Sequence, residues 1–182
     1  MSVEFGRLLV EVQTRLAPAV RGQAETRWGA GQPEFRVQIR TALAEALPDA
    51  DCKDLQIPPR PRTHSVSISH TQNLGGWMSV PRPLQVGWDV EVQTRIKHHV
   101  IERISTAEEL SLSPQPTFLW PTKESFYKAL EDDQPLTITE LTIDTWQSLG
   151  PDLWSWRGIG PRNGSGLLLQ TEKWLLAACL ID

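Results

Sequence analysis

Val86-Gly87-Trp88-Asp89-Val90-Glu91 decides how this chain folds on paper. Apolar residues at 86, 88 and 90 alternate with Gly87, Asp89 and Glu91, the period of two that marks a strand with one buried face. Asp89 and Glu91 therefore share the opposite face. A lone Asp-x-Glu is common on solvated edge strands. On a half-buried strand two carboxylates need a counter-charge, and hard carboxylate oxygens suit Mg²⁺, above all a Mg²⁺ that also holds a substrate phosphate.

Working back from this strand, Ser65 to Ser69 alternates as a short strand, and Trp77 to Val80 reads as its hairpin partner after a Gly75-Gly76 turn. Earlier still, Phe5, Leu8, Leu9, Val12 and Leu16 have helical spacing over Val3 to Ala17, closed by Pro18. Arg21 to Pro33 is polar and glycine-bearing, and reads as a loop. Glu34 to Leu47 carries Phe35, Ile39, Leu43 and Leu47 on one stripe and stops at Pro48. The run Ile57-Pro58-Pro59-Arg60-Pro61-Arg62 is an extended loop.

Forward of the strand, Ile96 to Leu112 reads as a helix broken by Ser113-Pro114-Gln115-Pro116. Phe118 to Leu130 is the next helix, with Trp120, Phe126 and Leu130 as core residues, Trp120 free to face the strand instead. Four strand-like runs follow, at Leu136 to Ile143, Leu153 to Trp156, Gly166 to Thr171 and Trp174 to Ile181, spaced as an antiparallel meander. Helices followed by strands, twice over, predict an α+β fold of two similar pseudo-twofold lobes. Each would be a small antiparallel sheet packed with helices, with the N-terminal lobe at 1–82 and the C-terminal lobe at 83–182.

The helix after the prolines carries Trp120-Pro121-Thr122-Lys123-Glu124-Ser125-Phe126-Tyr127-Lys128. Glu124 and Lys128 stand at i, i+4 on one side. On a solvated face that pair contributes only about 0.3–0.5 kcal/mol, and Lys123 reads as a solvated charge. Near the two carboxylates, the same residues offer a base and a cation for phosphate. Ser69-His70 ends the earlier strand. A ring N–H beside hydroxyls and backbone donors can take a phosphate, although a lone turn histidine is more often a surface residue. Carboxylates, base and cation together suit phosphoryl-type transfer.

Composition narrows the alternatives. The 182-residue chain has net charge −4, so no basic excess exists to neutralise a nucleic-acid backbone. A Mg²⁺-dependent nuclease on the same carboxylates is disfavoured on that ground. Cys52 and Cys179 form neither a disulfide framework nor a zinc pattern, and two free thiols are expected. Glu4 interrupts any leader-like start, and the longest apolar stretch, Trp174 to Ile181, is too short to span a bilayer. A cytoplasmic protein without membrane or nucleic-acid partners is expected. Eight tryptophans are expected to pack in the core and between the lobes.

The three segments, in this order, resemble the 4′-phosphopantetheinyl transferase superfamily, in particular its two-lobed, monomeric, surfactin-synthetase-activating branch. That family pairs a Ser-His at a strand end with a Gly-x-Asp-x-Glu strand and a Trp-x-x-Lys-Glu-Ser/Ala-x-x-Lys helix. Here they stand as Ser69-His70, Gly87 to Glu91 and Trp120 to Lys128. The run Ile104 to Leu110 is similar to the helix preceding the Lys-Glu segment, and Leu175 to Ile181 to the closing strand. The resemblance implies transfer of the phosphopantetheine arm of coenzyme A to a serine of an apo acyl or peptidyl carrier protein, releasing adenosine 3′,5′-bisphosphate. It implies Mg²⁺ on Asp89, Glu91 and Glu124, with Glu124 also acting as base and Lys128 binding the pyrophosphate. It assigns coenzyme A contacts to Ser69 and His70. Pro59-Arg60-Pro61-Arg62 stands where the family has a Gly-Lys-Pro-like segment, so Arg60 and Arg62 take the phosphate role there, and Arg27, Arg36 or Arg40 the 3′-phosphate. Ala129-Leu130-Glu131-Asp132-Asp133 replaces a Gly-Lys-Gly, which keeps open a catalytically inert relative that binds coenzyme A or a carrier.

Overall fold

The computed structural model describes residues 1–130 and 137–182. Its helices are α1 (Val3–Arg15), α2 (Phe35–Ala46), α3 (His98–Ile104), α4 (Ala107–Leu112) and α5 (Leu119–Ala129). Its strands are β1 (Arg21–Glu25), β2 (His64–Thr71), β3 (Leu74–Pro81), β4 (Gln85–Val92), β5 (Thr142–Ser148), β6 (Leu153–Ile159), β7 (Gly164–Gln170) and β8 (Trp174–Ile181). They form a three-stranded sheet, β1-β3-β2, and a five-stranded sheet, β4-β8-β7-β6-β5, with every pair antiparallel. The class is α+β, two antiparallel sheets packed with helices, as the alternation of patterns predicts.

The five-stranded sheet is covered on both faces, which is why β8 reads as an unbroken apolar run. On one face α1 inserts Phe5, Leu8 and Val12 into a cluster with Met78, Val80, Trp88, Leu167 and Leu176. Phe5 meets Trp88 edge-on, with ring centroids 5.0 Å apart. Residues from both sheets thus share one core, and α1 is common to both. On the other face α5 lays Phe126 against Ile143, Trp156, Leu168 and Ala177. A third cluster joins Ile39 and Leu43 of α2 to Val66 and Trp77 of the smaller sheet.

The sheets meet along a seam of side chains. Ser65, Ser67 and Ser69, at alternate positions of β2, are buried and share one face. Their hydroxyls accept the backbone N–H groups of Val86 (3.1 Å), Trp88 (2.9 Å) and Val90 (3.4 Å) on β4. Ser67 also donates to the Trp88 carbonyl at 3.4 Å. The edge of the larger sheet, which would otherwise carry unpaired donors, is closed by hydroxyls.

Several local expectations change. Arg21–Glu25 is a strand, not loop, paired with β3. The hairpin turn falls at Gln72-Asn73, because Gly75 and Gly76 lie inside β3. A Cβ at Gly75 would come 2.1 Å from the Trp28 carbonyl oxygen, and one at Gly76 2.2 Å from that of Gln23. Those glycines mark close backbone approach instead of a bend. The expected helix Ile96 to Leu112 is two short helices divided at Ser105, where Thr106 and Glu109 form a reciprocal capping box. The strand expected from Leu136 starts at Thr142, after a single 3₁₀ turn at Ile138–Glu140. Leu136 itself and the acidic Glu131 to Asp133 lie outside the described residues. Both cysteines are free thiols, as expected. Among the described residues no helix is long and apolar enough to cross a membrane.

Candidate functional site

β4 and α5 meet face to face because Gly87 has no side chain. A Cβ there would lie 1.8 Å from the Ser125 carbonyl oxygen and 2.6 Å from the Ala129 amide nitrogen. This close approach brings Lys128 over the acidic face of β4. Its Nζ lies 2.6 Å from Asp89 Oδ1 and donates to Ser69 Oγ at 3.1 Å. Ser69 Oγ in turn donates to Asp89 Oδ1 at 2.7 Å. A lysine on α5, a serine on β2 and an aspartate on β4 thus close one hydrogen-bonded triangle.

Asp89 is only 3% exposed, and its second oxygen, Oδ2, is buried without a hydrogen-bond partner. A buried carboxylate oxygen of that kind is an unmet demand for a proton or a cation. Glu91 shares the strand face, and its Oε1 accepts Trp120 Nε1 at 2.9 Å, so the Trp120 indole turns its N–H to the site while its ring packs against the core beneath α5. Burial, and then the Asp89 charge, lift the Glu91 carboxyl from 4.5 to about 7, against the opposing pulls of Trp120 and Lys128. Glu124 is raised as well, by burial, with Lys128 opposing and Asp89 adding to the rise. Three carboxylates therefore act on one ammonium, and among the described residues neither Glu91 nor Glu124 has an ion-pair partner of its own.

Among the described residues, no three His, Cys, Asp or Glu side chains are grouped closely enough to hold a metal ion. Mg²⁺ commonly needs only one or two carboxylates, completing its shell with water and substrate phosphate. The unpartnered Asp89 oxygen and the neighbouring Glu91 meet that smaller requirement.

Lys128 also borders a cavity of about 460 Å³ on the far side of the triangle. Arg36, Arg40, Arg60 and His70 contribute its basic groups, and Ile39, Leu55, Val66 and Ile68 part of its apolar wall. Arg40 is 8% exposed; its Nη2 donates to the Ile57 carbonyl at 3.0 Å, while its buried Nη1 has no partner. Arg36 Nη1 reaches Gln56 Oε1 at 3.4 Å. These two arginines tie α2 to the loop that roofs the cavity. His70 stacks edge-on against Phe35, and burial together with Arg36 and Lys128 pulls its pKa below 6.5. It is a neutral ring at neutral pH, able to donate from one nitrogen.

Of the residues that the sequence singles out, Ser69, His70, Asp89, Glu91, Glu124 and Lys128 are brought together, and Arg60 borders the adjoining cavity. Arg62 is exposed and lies outside that cavity's lining, and Arg27 is exposed beside the Trp28 ring. Lys123, expected in solvent, is 0% exposed. Its Nζ binds Glu109 Oε1 at 2.8 Å and Oε2 at 2.9 Å, and donates to the Ile104 carbonyl at 2.5 Å. Glu109 further accepts the backbone N–H groups of Ile143 and Thr106. The alternation of Ser65 to Ser69 predicts a strand but assigns Ser65 and Ser67 no role, although Ser-Val-Ser-Ile-Ser is a visible signal of a polar strand face. Tyr127, beside Lys128 on the cavity wall, was also missed. No family model matches the chain, and no curated protein sequence matches it.

Proposed function

We propose that this chain is a Mg²⁺-dependent 4′-phosphopantetheinyl transferase acting on coenzyme A and an apo acyl or peptidyl carrier protein, as a cytoplasmic monomer. The observation that carries the proposal is the Ser69–Asp89–Lys128 triangle, which joins a carboxylate-rich strand to a basic cavity. Its support is that residues far apart in sequence, each belonging to a motif of the resemblance, meet in one hydrogen-bonded group.

The chemistry asked of these residues is displacement at phosphorus. The carrier serine oxygen bonds to the phosphorus that bears the pantetheine arm, and the bond from that phosphorus to the adenosine 3′,5′-bisphosphate oxygen breaks. Glu124, with its carboxyl raised by burial, is suited to take the serine proton. Lys128, at the border of carboxylates and cavity, is placed to neutralise charge on the leaving phosphate. His70 and the arginines of the cavity can hold the nucleotide phosphates, and Arg40 keeps one N–H uncommitted for such a contact. Asp89 and Glu91 would hold the Mg²⁺, which when bound supplies charge neutralisation on the pyrophosphate.

The test is intact-mass spectrometry of several apo carrier proteins incubated with this protein, coenzyme A and Mg²⁺. One phosphopantetheine arm should be gained, chelator should prevent it, and Asp89→Ala should slow it at least about a hundredfold. An unmodified carrier despite bound coenzyme A would favour the inert binder instead.

A further inference from the structure

The structure already has a cation on Asp89, and that cation belongs to the protein. Lys128 Nζ sits 2.6 Å from Asp89 Oδ1, the oxygen that Ser69 also engages, while Oδ2 of the same carboxylate is buried and unpartnered. The lysine side chain is 27% exposed and borders the basic cavity, so it has somewhere else to go. Asp89 is fixed by the strand and by Ser69, and cannot follow it.

A divalent cation arriving at Asp89 would face an ammonium already there, in a partly buried setting where like charges repel strongly. We propose that metal and Lys128 exchange places: the divalent cation takes over Asp89, and Lys128 Nζ is released into the adjoining cavity, where it meets the phosphate of the ligand. Lys128 is thus the resident counter-ion of the empty site. Metal and anionic ligand then bind with positive coupling, because each removes a cost from the other, and the coupling is reciprocal. The exchange rests on the transferase reading only in naming coenzyme A as the anion.

Calorimetric titration of Mg²⁺ into metal-free protein tests it without any turnover. Lys128→Met, and independently Lys128→Gln, should bind Mg²⁺ about tenfold tighter than the parent, since no ammonium has to leave. Arg36→Met removes a charge from the same cavity but from a side chain bound to Gln56, and should change Mg²⁺ affinity by less than about twofold. In the unmutated protein labelled with ¹⁵N at lysine Nζ, Mg²⁺ alone should move the Lys128 ammonium signal. Coenzyme A should bind the parent tighter with Mg²⁺ present, and this gain should shrink in Lys128→Met. Lysine variants that bind Mg²⁺ no tighter than the parent, or a Lys128 signal unmoved by Mg²⁺, would overturn the exchange. If the carrier protein stays unmodified while the affinities shift as stated, the transferase reading fails and the exchange stands. If transfer occurs with none of these shifts, the exchange fails and the transferase stands.

Discussion

Helix α5 carries two lysines that each meet a buried carboxylate, and the two pairs have been built to opposite ends. Lys123 and Glu109 form a sealed unit: both carboxylate oxygens take the ammonium and a backbone N–H each, and the ammonium also binds a carbonyl. Lys128 and Asp89 form an unfinished one, with a partly exposed lysine, an orphaned oxygen and two further carboxylates pushed towards protonation. The sealed pair joins α4, α5 and the start of β5, and every polar atom in it is spoken for. The unfinished pair has a deficit of positive charge. Two ion pairs of the same chemistry on one helix are told apart by saturation, and the unsaturated one is where a ligand has something to add.

The largest break in that contrast should come from Lys123→Met. Glu109 would keep a buried charge without its partner, and urea denaturation should register a loss of about 3–5 kcal/mol. Pairing Lys123→Met with Glu109→Leu should recover most of that loss, because two apolar groups leave no charge stranded, although Ile143 N–H and Thr106 N–H lose an acceptor. Gly87→Ala should come next. Its methyl group collides with backbone of α5, and overpacking of this kind costs about 1–3 kcal/mol. It should also move Lys128 off Asp89 and so let Mg²⁺ bind tighter in calorimetric titration, while leaving the Lys123 pair intact.

A smaller effect sharpens the comparison through pH. Glu91 titrates at about 7 in the folded protein against 4.5 when unfolded, so the folded state keeps a proton that the unfolded chain has released. Its contribution is fully present below 4.5 and is lost as pH rises through about 7. Metal-free protein should therefore have a higher denaturation midpoint at about pH 5 than at about pH 7.5, by a margin that Glu91→Gln reduces. His70, with its pKa lowered, works in the other direction, its contribution falling as pH drops below 6.5. Mg²⁺ should flatten the Glu91 slope by favouring its carboxylate. Smallest of all is Arg7→Ala. Arg7 and Asp152 make two short contacts, of 2.5 and 2.7 Å, but in solvent, and their loss should cost less than about 1 kcal/mol.

Much of the fold could be read from periodicity, because α1, α2, α5 and β8 each show a stripe or an unbroken apolar run that local sequence displays. The carboxylate face of β4 was legible for the same reason. What escaped was set by distant partners. Lys123 looks like any solvated helical lysine, since nothing near it in sequence announces Glu109 fourteen residues earlier as its partner. β1 is polar and short, and becomes a strand only because β3 offers it an edge. Gly75 and Gly76 imitate a turn because glycine serves both bends and close backbone approach, and the carbonyls that require the second come from Trp28 and Gln23. At the site, residue types were legible, but the way Lys128 reaches Asp89 depends on the approach that Gly87 permits.

The serine seam between the sheets has the character of a graduated scale. Its marks repeat every second residue, and a slide of β2 along β4 by one full division would set hydroxyls against amides almost as well as before. A scale of identical marks has no zero. Ser69 supplies one, because it also engages a carboxylate, and that carboxylate is the one gripped by Lys128. The atoms best suited to chemistry are also the index by which the two halves of the molecule find their alignment.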